Sequence, residues 1–395
     1  QKLVDKLNLL TRQNIVGVRV VRAFNTQKHE AEIFSKVNDE VTRVRLFIDR
    51  VVGIMQPIMM LIFNLTTILV IWVGAHLVED NSLYIGDMMA FMQYAMQVIV
   101  AFLMVSVMFI IIPRASVSIK RVTEILSTKL SIVDPEKPKK QSGKTRGLVE
   151  FKNVSFRYPD ADVPVLYDIS FAAKPGEITA IIGGTGSGKS TIVNLIPRFF
   201  DVSSGQILID GVDIREMKQK ELRKRIGYIP QKGVLFSGTV ESNIKYGDPE
   251  ADMEEVVRAA KISQSVEFIS KLEGKYKYPI AEGGTNVSGG QKQRLSIARA
   301  LLIRPDIYIF DDSFSSLDFR TSAKLFEELR KEIKNSTVIV VAQRIGITLS
   351  ADQIIVLDEG KIVGIGKHRE LMKTCKVYKE IALSQLTEEE LENEE

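Results

Sequence analysis

Residues 178–191 read ITAIIGGTGSGKST. An apolar strand, Ile178 to Ile182, leads through a glycine-rich loop into a helix predicted from Ser190 to Phe199. Glycines let backbone N–H groups curl round phosphate oxygens, and the positive end of the helix favours an anion there. Lys189 would reach the terminal phosphates, and the Ser190 hydroxyl would bind Mg²⁺. The stretch therefore predicts an α/β P-loop domain that binds a nucleoside triphosphate.

A second pair of motifs lies further along the same domain. A glycine-containing turn precedes an apolar strand, Ile307 to Asp312, which ends in two aspartates. The first of them, Asp311, can hold Mg²⁺ through water. Asp312 stands where a general base would polarise the attacking water, but its side chain is one methylene shorter than glutamate. General bases contribute about 10²–10⁴-fold to rates, so we expect ATP to be held and cleaved slowly. The turn, which indicates a paired ATP site, consists of Ser288, Gly289, Gly290 and Gln291.

Two charge-free apolar stretches, residues 51–78 and 88–112, come before the α/β domain. A bilayer core of roughly 30 Å needs about 20 such residues, so each stretch is long enough to span a membrane. Only residues 79–87 separate them, which predicts an antiparallel helical hairpin. A hairpin buried in a soluble protein is the alternative, and it is disfavoured because soluble core helices rarely run this long without charge.

The charges that flank the two stretches predict their orientation. The connecting loop carries only acidic charges, Glu79, Asp80 and Asp87, whereas arginine and lysine lie outside the hairpin. By the positive-inside rule both ends of the hairpin are cytoplasmic, and so is the α/β domain. The basic residues are Arg43, Arg45 and Arg50 before the first stretch and Arg114, Lys120 and Arg121 after the second.

Apolar residues continue at helical spacing before the first span, which predicts that this helix extends below the membrane. The spacing is typical of a helix-packing seam, and a rigid stalk that transmits motion is compatible with it. Upstream, the polar segment Asn8 to Asn14 is followed by Gly17, which would permit a turn between helices. The seam residues are Phe34, Val37, Val41, Val44, Ile48 and Val51.

Composition divides the chain into a membrane region (1–127), a linker (128–147), the ATPase domain (148–386) and a tail (387–395). The linker is rich in proline and lysine, and the tail is glutamate-rich, so we expect an exposed linker and a disordered tail. A net charge of +4 gives no reason to expect a nucleic-acid partner. The single cysteine, Cys375, excludes an internal disulfide. Because the chain opens at Gln1 within a helical pattern, we expect a portion of a longer protein.

The order of these segments resembles the ATP-binding cassette (ABC) transporter family, and in particular the exporters whose ATPase is fused behind the membrane helices. Gly183–Thr191 is similar to the Walker A motif of the family, Ile307–Asp312 to Walker B, Val287–Gln291 to the signature and Gln231 to the Q-loop glutamine. The resemblance covers nearly the whole chain. It implies the type IV exporter fold, with an α-helical transmembrane region of which the last two of six helices are present, and an α/β P-loop ATPase domain with a helical subdomain.

The resemblance also implies a set of site residues. Tyr158 would stack on adenine, although such a tyrosine taken alone is more often a strand residue. Mg²⁺ would be held by Ser190, Gln231 and Asp311. The ATP phosphates would contact Gly183, Gly184, Thr185, Gly186, Ser187, Gly188, Lys189, Ser190 and Thr191. The residues expected to act in trans, on the ATP of another subunit, are Ser288, Gly289, Gly290, Gln291 and Asp318. Two further elements are expected to carry coupling, Glu282 as part of a sensing loop and Asn8–Asn14 as a coupling helix.

Two positions of the catalytic group depart from the family. Gln343 fills the place of the switch histidine after the strand 337–342, and Asp312 that of the general-base glutamate, while the third member, Gln231, is retained. Glutamine can bond a phosphate oxygen but cannot carry a proton. A homodimer would have two impaired sites, so we expect a heterodimer with a second half-transporter that supplies the glutamate and histidine.

The resemblance is closest to heterodimeric multidrug exporters of bacteria, which implies a multi-pass protein of a bacterial cell membrane that moves drugs or other amphipathic compounds. A non-hydrolysing regulatory or channel-like subunit is the alternative, and a soluble cassette ATPase requires the spans to be buried. Most of the twelve methionines lie in the spans, where they either pack against lipid and helices or form an adaptable drug-binding wall. The polar residues expected to line a substrate path are Gln56, Asn64, Gln93 and Gln97.

Overall fold

The computed structural model describes residues 2–80, 82–139, 146–332 and 335–386. The chain divides into two compact units, a helical unit from Gln1 to Lys129 and an α/β unit from Leu130 to Glu395. Residues 140–145 of the predicted linker and the predicted tail, 387–395, lie outside the described residues.

The helical unit consists of two short helices followed by two long ones. Both predicted spans lie inside the long helices, which are long and apolar enough to cross a membrane. The apolar side chains of these spans are almost all exposed, so the surface they present suits lipid or further helices rather than water. The helices are α1 (Lys2–Val16), α2 (Val18–Ala23), α3 (Gln27–Glu79) and α4 (Ile85–Ser127).

The two long helices pack against each other as a hairpin. Close to the connecting loop a Cβ on Gly74 would lie 2.7 Å from Met88 Sδ, so the absent side chain allows the helices to approach. At the other end, Arg121 of α4 forms a 3.5 Å ion pair with Asp5 of α1. Of the predicted packing seam, Val37 is buried, and the rest of the seam is at least partly exposed.

The segment predicted as a coupling helix, Asn8 to Asn14, lies in the interior of α1, because residues on both sides of it continue the helix. Its coupling role stays a prediction. The predicted turn at Gly17 is confirmed, since Gly17 separates α1 from α2. The short helix that follows this turn is α2. It lies between Gly17 and Asn25, whose backbone is left-handed with a φ of 54°.

The α/β unit contains an antiparallel sheet, a mixed sheet and a two-stranded ribbon. The antiparallel sheet has the order β2-β1-β4-β5, the mixed sheet β12-β11-β3-β10-β9-β6, and the ribbon pairs β7 with β8. The strands are β1 (Val149–Phe156), β2 (Leu166–Ala173), β3 (Ile178–Gly183), β4 (Ser204–Ile209), β5 (Val212–Asp213), β6 (Ile226–Ile229), β7 (Gly238–Thr239), β8 (Pro279–Ile280), β9 (Ile307–Asp311), β10 (Thr337–Val341), β11 (Gln353–Asp358) and β12 (Lys361–Gly366).

The mixed sheet is buried on both faces, as its continuous apolar strands require. On β3, Ala180 and Ile182 belong to one apolar cluster, and Ile181 between them belongs to the other, because alternate side chains point to opposite faces. The helices of this unit are α5 (Lys189–Leu195), α6 (Gln219–Lys224), α7 (Val240–Ile244), α8 (Met253–Ile262), α9 (Val266–Lys271), α10 (Gly289–Leu302), α11 (Phe319–Glu332), α12 (Ile345–Thr348), α13 (His368–Thr374) and α14 (Lys376–Leu383).

The helix predicted from Ser190 to Phe199 is shorter than expected. It begins at Lys189 and ends at Leu195, because Pro197 has no N–H with which to continue the helical hydrogen bonds. Arg198 then takes a left-handed φ of 54°.

Part of the predicted exposed linker is bound to the α/β unit. Asp134 accepts hydrogen bonds from the backbone N–H of Gln219, at 2.9 Å, and from its side-chain amide, at 3.1 Å. Lys139 pairs with Glu216 at 2.8 Å through the side chains, and its backbone N–H donates to the Glu216 carbonyl. Residues 130–139 are therefore held against the start of α6 by specific polar contacts.

Candidate nucleotide site

The predicted site residues come together at the carboxyl ends of parallel strands, where open α/β sheets bind their ligands. β3 ends at Gly183 and β9 at Asp311, Gln231 follows β6, and Gln343 follows β10. These strands are neighbours in the order β3-β10-β9-β6. A cavity of about 260 Å³ opens at this edge, lined by Val165, Thr185, Gly186, Gly188, Lys189, Ser190, Thr191, Gln231, Asp312, Val341 and Gln343.

The glycine-rich loop forms a cradle around the Lys189 side chain. Lys189 Nζ donates to the carbonyl oxygens of Gly183, at 2.8 Å, and Gly184, at 2.6 Å. Gly186 has a φ of 83°, and a Cβ there or on Gly184 would meet nothing within 4 Å. The open side of the loop is therefore free for phosphate oxygens. The buried Ser187 hydroxyl has no hydrogen-bond partner among the described residues.

Ser190 and Asp311 are adjacent, as a Mg²⁺ site requires. Ser190 Oγ donates to Asp311 Oδ1 at 2.8 Å. Sequence analysis missed two residues beside them: Tyr228 OH donates to Asn194 Oδ1 at 2.8 Å and to Asp311 Oδ2 at 3.3 Å. Burial raises the pKa of Tyr228, with Asp311 adding to the shift, so the phenol stays a neutral donor. Its position directly before the Ile229-Pro230-Gln231 motif was the only signal in the sequence.

The Asp312 carboxylate is held by two side-chain amides. Gln231 Nε2 donates to Asp312 Oδ2 at 3.0 Å, and Gln343 Nε2 donates to the same oxygen at 2.9 Å. The backbone of Asp312 has a φ of 47° and accepts at its carbonyl from Ser315 Oγ at 2.8 Å. We call the group Gln231, Asp312 and Gln343 the amide clamp. In this group, the two amides donate to the carboxylate that the sequence analysis placed in the role of general base.

Two charged groups of the site have shifted pKa values. Burial raises the pKa of Asp312, and hydrogen bonds from Gln231 and Ser315 partly oppose this shift. Burial lowers the pKa of Lys189, and the charges of Asp312 and Asp311 oppose it. Both shifts have the sign that desolvation of a charged group produces.

Tyr158 lies beside the start of the helix that follows the loop. Its hydroxyl is 3.1 Å from Thr191 Oγ1, so the ring is held next to the cradle. The rings of Phe156 and Phe200 pack edge-on against it, at centroid distances of 4.8 and 5.2 Å. Its predicted stacking on adenine stays a prediction, and the half-buried ring is placed where such a contact is possible.

The signature residues lie at the N-terminus of α10, apart from the residues that line the cavity. Ser288 and Gln291 form a capping box: Ser288 Oγ accepts from Gln291 N–H at 3.3 Å, and Gln291 Oε1 accepts from Ser288 N–H at 2.9 Å. Ser288 and Gly289 are exposed. Asp318 is also exposed and accepts from the backbone N–H of Thr321 at 2.9 Å. Their predicted action in trans on another subunit agrees with this exposure and stays a prediction.

The sensing loop predicted around Glu282 is exposed as well. Glu282 begins a short turn in which Gly283 has a φ of 63°, a conformation that suits glycine. The Gly283 carbonyl accepts from Lys292 Nζ at 2.8 Å, which ties the turn to α10.

The residues present fit ATP and Mg²⁺. The open glycine loop, the lysine and the positive end of α5 suit phosphate groups, and Ser190 and Asp311 offer hard oxygen ligands. Bound Mg²⁺ would neutralise charge on the phosphates. The predicted Mg²⁺ role of Gln231 stays a prediction, and its amide nitrogen donates to Asp312. Gln231 and Gln343 both donate to one oxygen of the Asp312 carboxylate at this edge of the sheet.

Comparisons with known proteins agree with the fold. The family model for the ABC transporter matches residues 166–315, and the model for the ABC transporter transmembrane region matches residues 1–102. An uncharacterized ABC transporter ATP-binding protein of Mycobacterium bovis is 42% identical over 98% of this chain and 66% of its own length. The uncharacterized ABC transporter ATP-binding protein YfiB of Bacillus subtilis is 38% identical over 98% of this chain and 67% of its own.

A solved structure and a named relative extend the comparison. The structure of a bacterial Atm1-family ABC exporter with ATP bound aligns with a TM-score of 0.86 at 30% identity, covering 98% of this chain and 69% of that one. A fatty acid ABC transporter ATP-binding/permease protein of Mycobacterium bovis is 35% identical over 94% of this chain and 58% of its own. The chain thus spans roughly two thirds of the length of these curated relatives. Because the matches run through both the membrane helices and the nucleotide site, the chain belongs to the ABC transporter family, with a transmembrane region and an ATP-binding domain fused in one polypeptide.

Proposed function

We propose that this chain is one subunit of an ATP-driven exporter in a bacterial cell membrane. Its own Walker site binds ATP and Mg²⁺ and hydrolyses ATP slowly, and its signature completes the hydrolytic site of a partner. The observation that supports this proposal is the amide clamp. One oxygen of Asp312 already accepts from Gln231 and Gln343, at 3.0 and 2.9 Å, so it is a poor acceptor for a proton from water.

The partner we propose is a second ABC half-transporter of different sequence. Two copies of this chain would form two sites that each have an aspartate and a glutamine in place of glutamate and histidine. A partner with the intact pair would face the exposed Ser288 of this chain and would carry most of the hydrolysis. We expect no nucleic-acid partner for either subunit.

The proposed cargo is an amphipathic or lipophilic compound, such as a drug or a fatty-acyl compound. The two spans contain no Asp, Glu, Lys or Arg between Val51 and Val78 or between Met88 and Ile112, and His76 lies near the end of the first. Their polar residues are uncharged and exposed on the helices of this chain, so they face other helices or a cavity: Gln56, Asn64, Gln93 and Gln97. A relative 35% identical to this chain carries the name of a fatty acid transporter.

Restoration of the two departing residues tests the proposal. We expect Asp312→Glu combined with Gln343→His to raise ATP turnover at this site by at least tenfold, because a longer carboxylate and an ionisable partner provide general-base catalysis. Asp358→Glu, at an exposed position at the end of β11, is the matched control. Unchanged turnover in the double variant contradicts the proposed mechanism. Turnover by this chain alone that equals that of the assembled pair contradicts the heterodimer.

An ATP-gated channel-like subunit is the second candidate, because slow hydrolysis suits a gate as well as a pump. Vesicles that contain both subunits distinguish the two. A pump accumulates a lipophilic dye against its gradient when ATP is added, and a gate only speeds equilibration.

A further inference from the structure

The short helix α12 directly follows Gln343, and the C-terminal helices hold it at its beginning. Gln385, just after α14, forms two hydrogen bonds with the backbone on either side of Arg344. Its Oε1 accepts from Ile345 N–H at 3.0 Å, and its Nε2 donates to the Gln343 carbonyl at 2.8 Å. One side-chain amide thus satisfies a donor 40 residues away and an acceptor 42 residues away in sequence.

A second polar contact holds the end of α12. The Tyr378 hydroxyl of α14 lies 3.4 Å from Thr348 Oγ1 and 2.8 Å from His368 Nδ1 of α13. Thr348 Oγ1 donates in turn to the Ile345 carbonyl at 2.7 Å. Tyr378 is fully buried, so this contact is shielded from water. The C-terminal helices therefore bracket α12 at both ends.

The bracketed segment connects to two parts of the nucleotide domain. The side chain of Gln343 reaches Asp312 Oδ2 at 2.9 Å. The adjacent Arg344 donates to the carbonyls of Ser315 and Leu317, both at 3.3 Å, in the loop that leads to Asp318. A shift of the backbone at Gln343 would therefore move both the amide clamp and this loop.

We propose that Gln385 is a positioning residue for the nucleotide site. By fixing the backbone at Gln343 and Ile345, it holds the Gln343 side chain at the edge of the cavity that binds ATP, so that the segment just after α14 controls how tightly this site holds nucleotide. The inference rests on the proposed contact of Gln343 with nucleotide. It does not depend on how fast the site hydrolyses ATP or on what the partner is.

Nucleotide binding to this chain within the assembled transporter tests the proposal. A photoactivatable ATP analogue is titrated with Mg²⁺, and the label on this chain is measured after the chains are separated on a gel. Gln385→Met keeps the length of the side chain and removes both hydrogen bonds. We expect it to raise the half-labelling concentration by about fivefold and to speed hydrogen exchange of the Ile345 amide by a similar factor, which is the ordinary effect of a lost hydrogen bond.

Ser384→Ala is the matched control, because Ser384 is the neighbouring residue and its hydroxyl donates within the same helical turn, to the Ile381 carbonyl at 2.7 Å. We expect wild-type labelling and exchange from it. Gln385→Glu keeps the acceptor for Ile345 N–H and loses the donor to Gln343, so it should retain amide protection and show about twofold weaker labelling. Wild-type labelling in a folded Gln385→Met overturns the proposal, even when Ile345 exchanges faster. If Gln385→Met does not fold, wild-type labelling in Gln385→Glu overturns it.

Discussion

At the scale of single residues, Asp312 is the group whose environment differs most from what a catalytic base needs. It is nearly buried, its backbone is left-handed, and two amides bond one of its oxygens. Left-handed backbone suits aspartate and asparagine better than longer side chains, and strain of this kind is common at functional sites. The shorter residue is thus compatible with the backbone here, whereas glutamate in this place must adopt the same conformation.

The raised pKa of Asp312 gives a pH-dependent stability. Because the folded protein holds this proton more tightly than the unfolded chain, the stabilisation is complete below the ordinary pKa of 3.8 and is lost as pH rises through the folded value. Asp312→Asn removes the buried charge, so we expect the unfolding midpoint to rise by roughly 2 °C at pH 7 and to match wild type near pH 3.8. Thermal unfolding at both pH values checks this, with Asp358→Asn as control. A lower midpoint at pH 7 contradicts the pKa assignment.

Tyr158 separates two possible contributions to nucleotide binding, the ring and the hydroxyl. If the ring stacks on adenine, Tyr158→Ala should weaken ATP binding by about 5- to 150-fold, since a base on an aromatic ring contributes about 1–3 kcal/mol. Tyr158→Phe keeps the ring and loses only the contact with Thr191. Titration with a fluorescent ATP analogue measures both. Equal losses in the two variants would assign the effect to the hydroxyl instead.

At the scale of elements, helix capping and the signature coincide at the N-terminus of α10. Ser288 closes a capping box there, and Thr239 closes a similar box with Ser242 at the start of α7. Ser288→Ala and Thr239→Ala should each lower the free energy of unfolding by about 1 kcal/mol, because each removes a helix N-cap. We expect only Ser288→Ala to lower ATP turnover of the assembled transporter, by at least tenfold, because Thr239 is not part of the signature.

The comparison of these two variants uses thermal unfolding for stability and phosphate release for turnover. Similar midpoints with unequal turnover support a role for Ser288 on the nucleotide of the partner. Equal turnover in Ser288→Ala and Thr239→Ala would reduce Ser288 to a helix cap.

At the scale of the whole molecule, the charges around the hairpin predict which side of the membrane each end occupies. A cysteine at Ser82, in the exposed connecting loop, should react with a membrane-impermeant maleimide in intact cells. A cysteine at Thr128, after α4, should react only once the cells are permeabilised. Cys375 is buried and gives a low background. Reaction of Thr128→Cys in intact cells would reverse the predicted topology.

The elements and their order were accessible from the sequence to different degrees. The strand ending at Gly183, the phosphate loop and both spans follow from local pattern, and the structure places them as expected. The predicted end of the helix after the phosphate loop was wrong, because that boundary depends on the single residue Pro197 rather than on periodicity. The coupling role of Asn8–Asn14 stays a prediction.

The sequence by itself determined the chemistry of the chain, because the loop Gly183–Thr191, the strand ending in Asp311 and the apolar spans each require only residue types at short spacing. Only the tertiary structure decided how Asp312 is used, since Gln231, Asp312 and Gln343 meet through the parallel order of three strands. The same holds for Gln385, whose contact with Gln343 crosses 42 positions of the chain. Local sequence patterns predict the secondary structure and chemistry of a segment, whereas contacts between distant segments form only when the sheet brings those segments together.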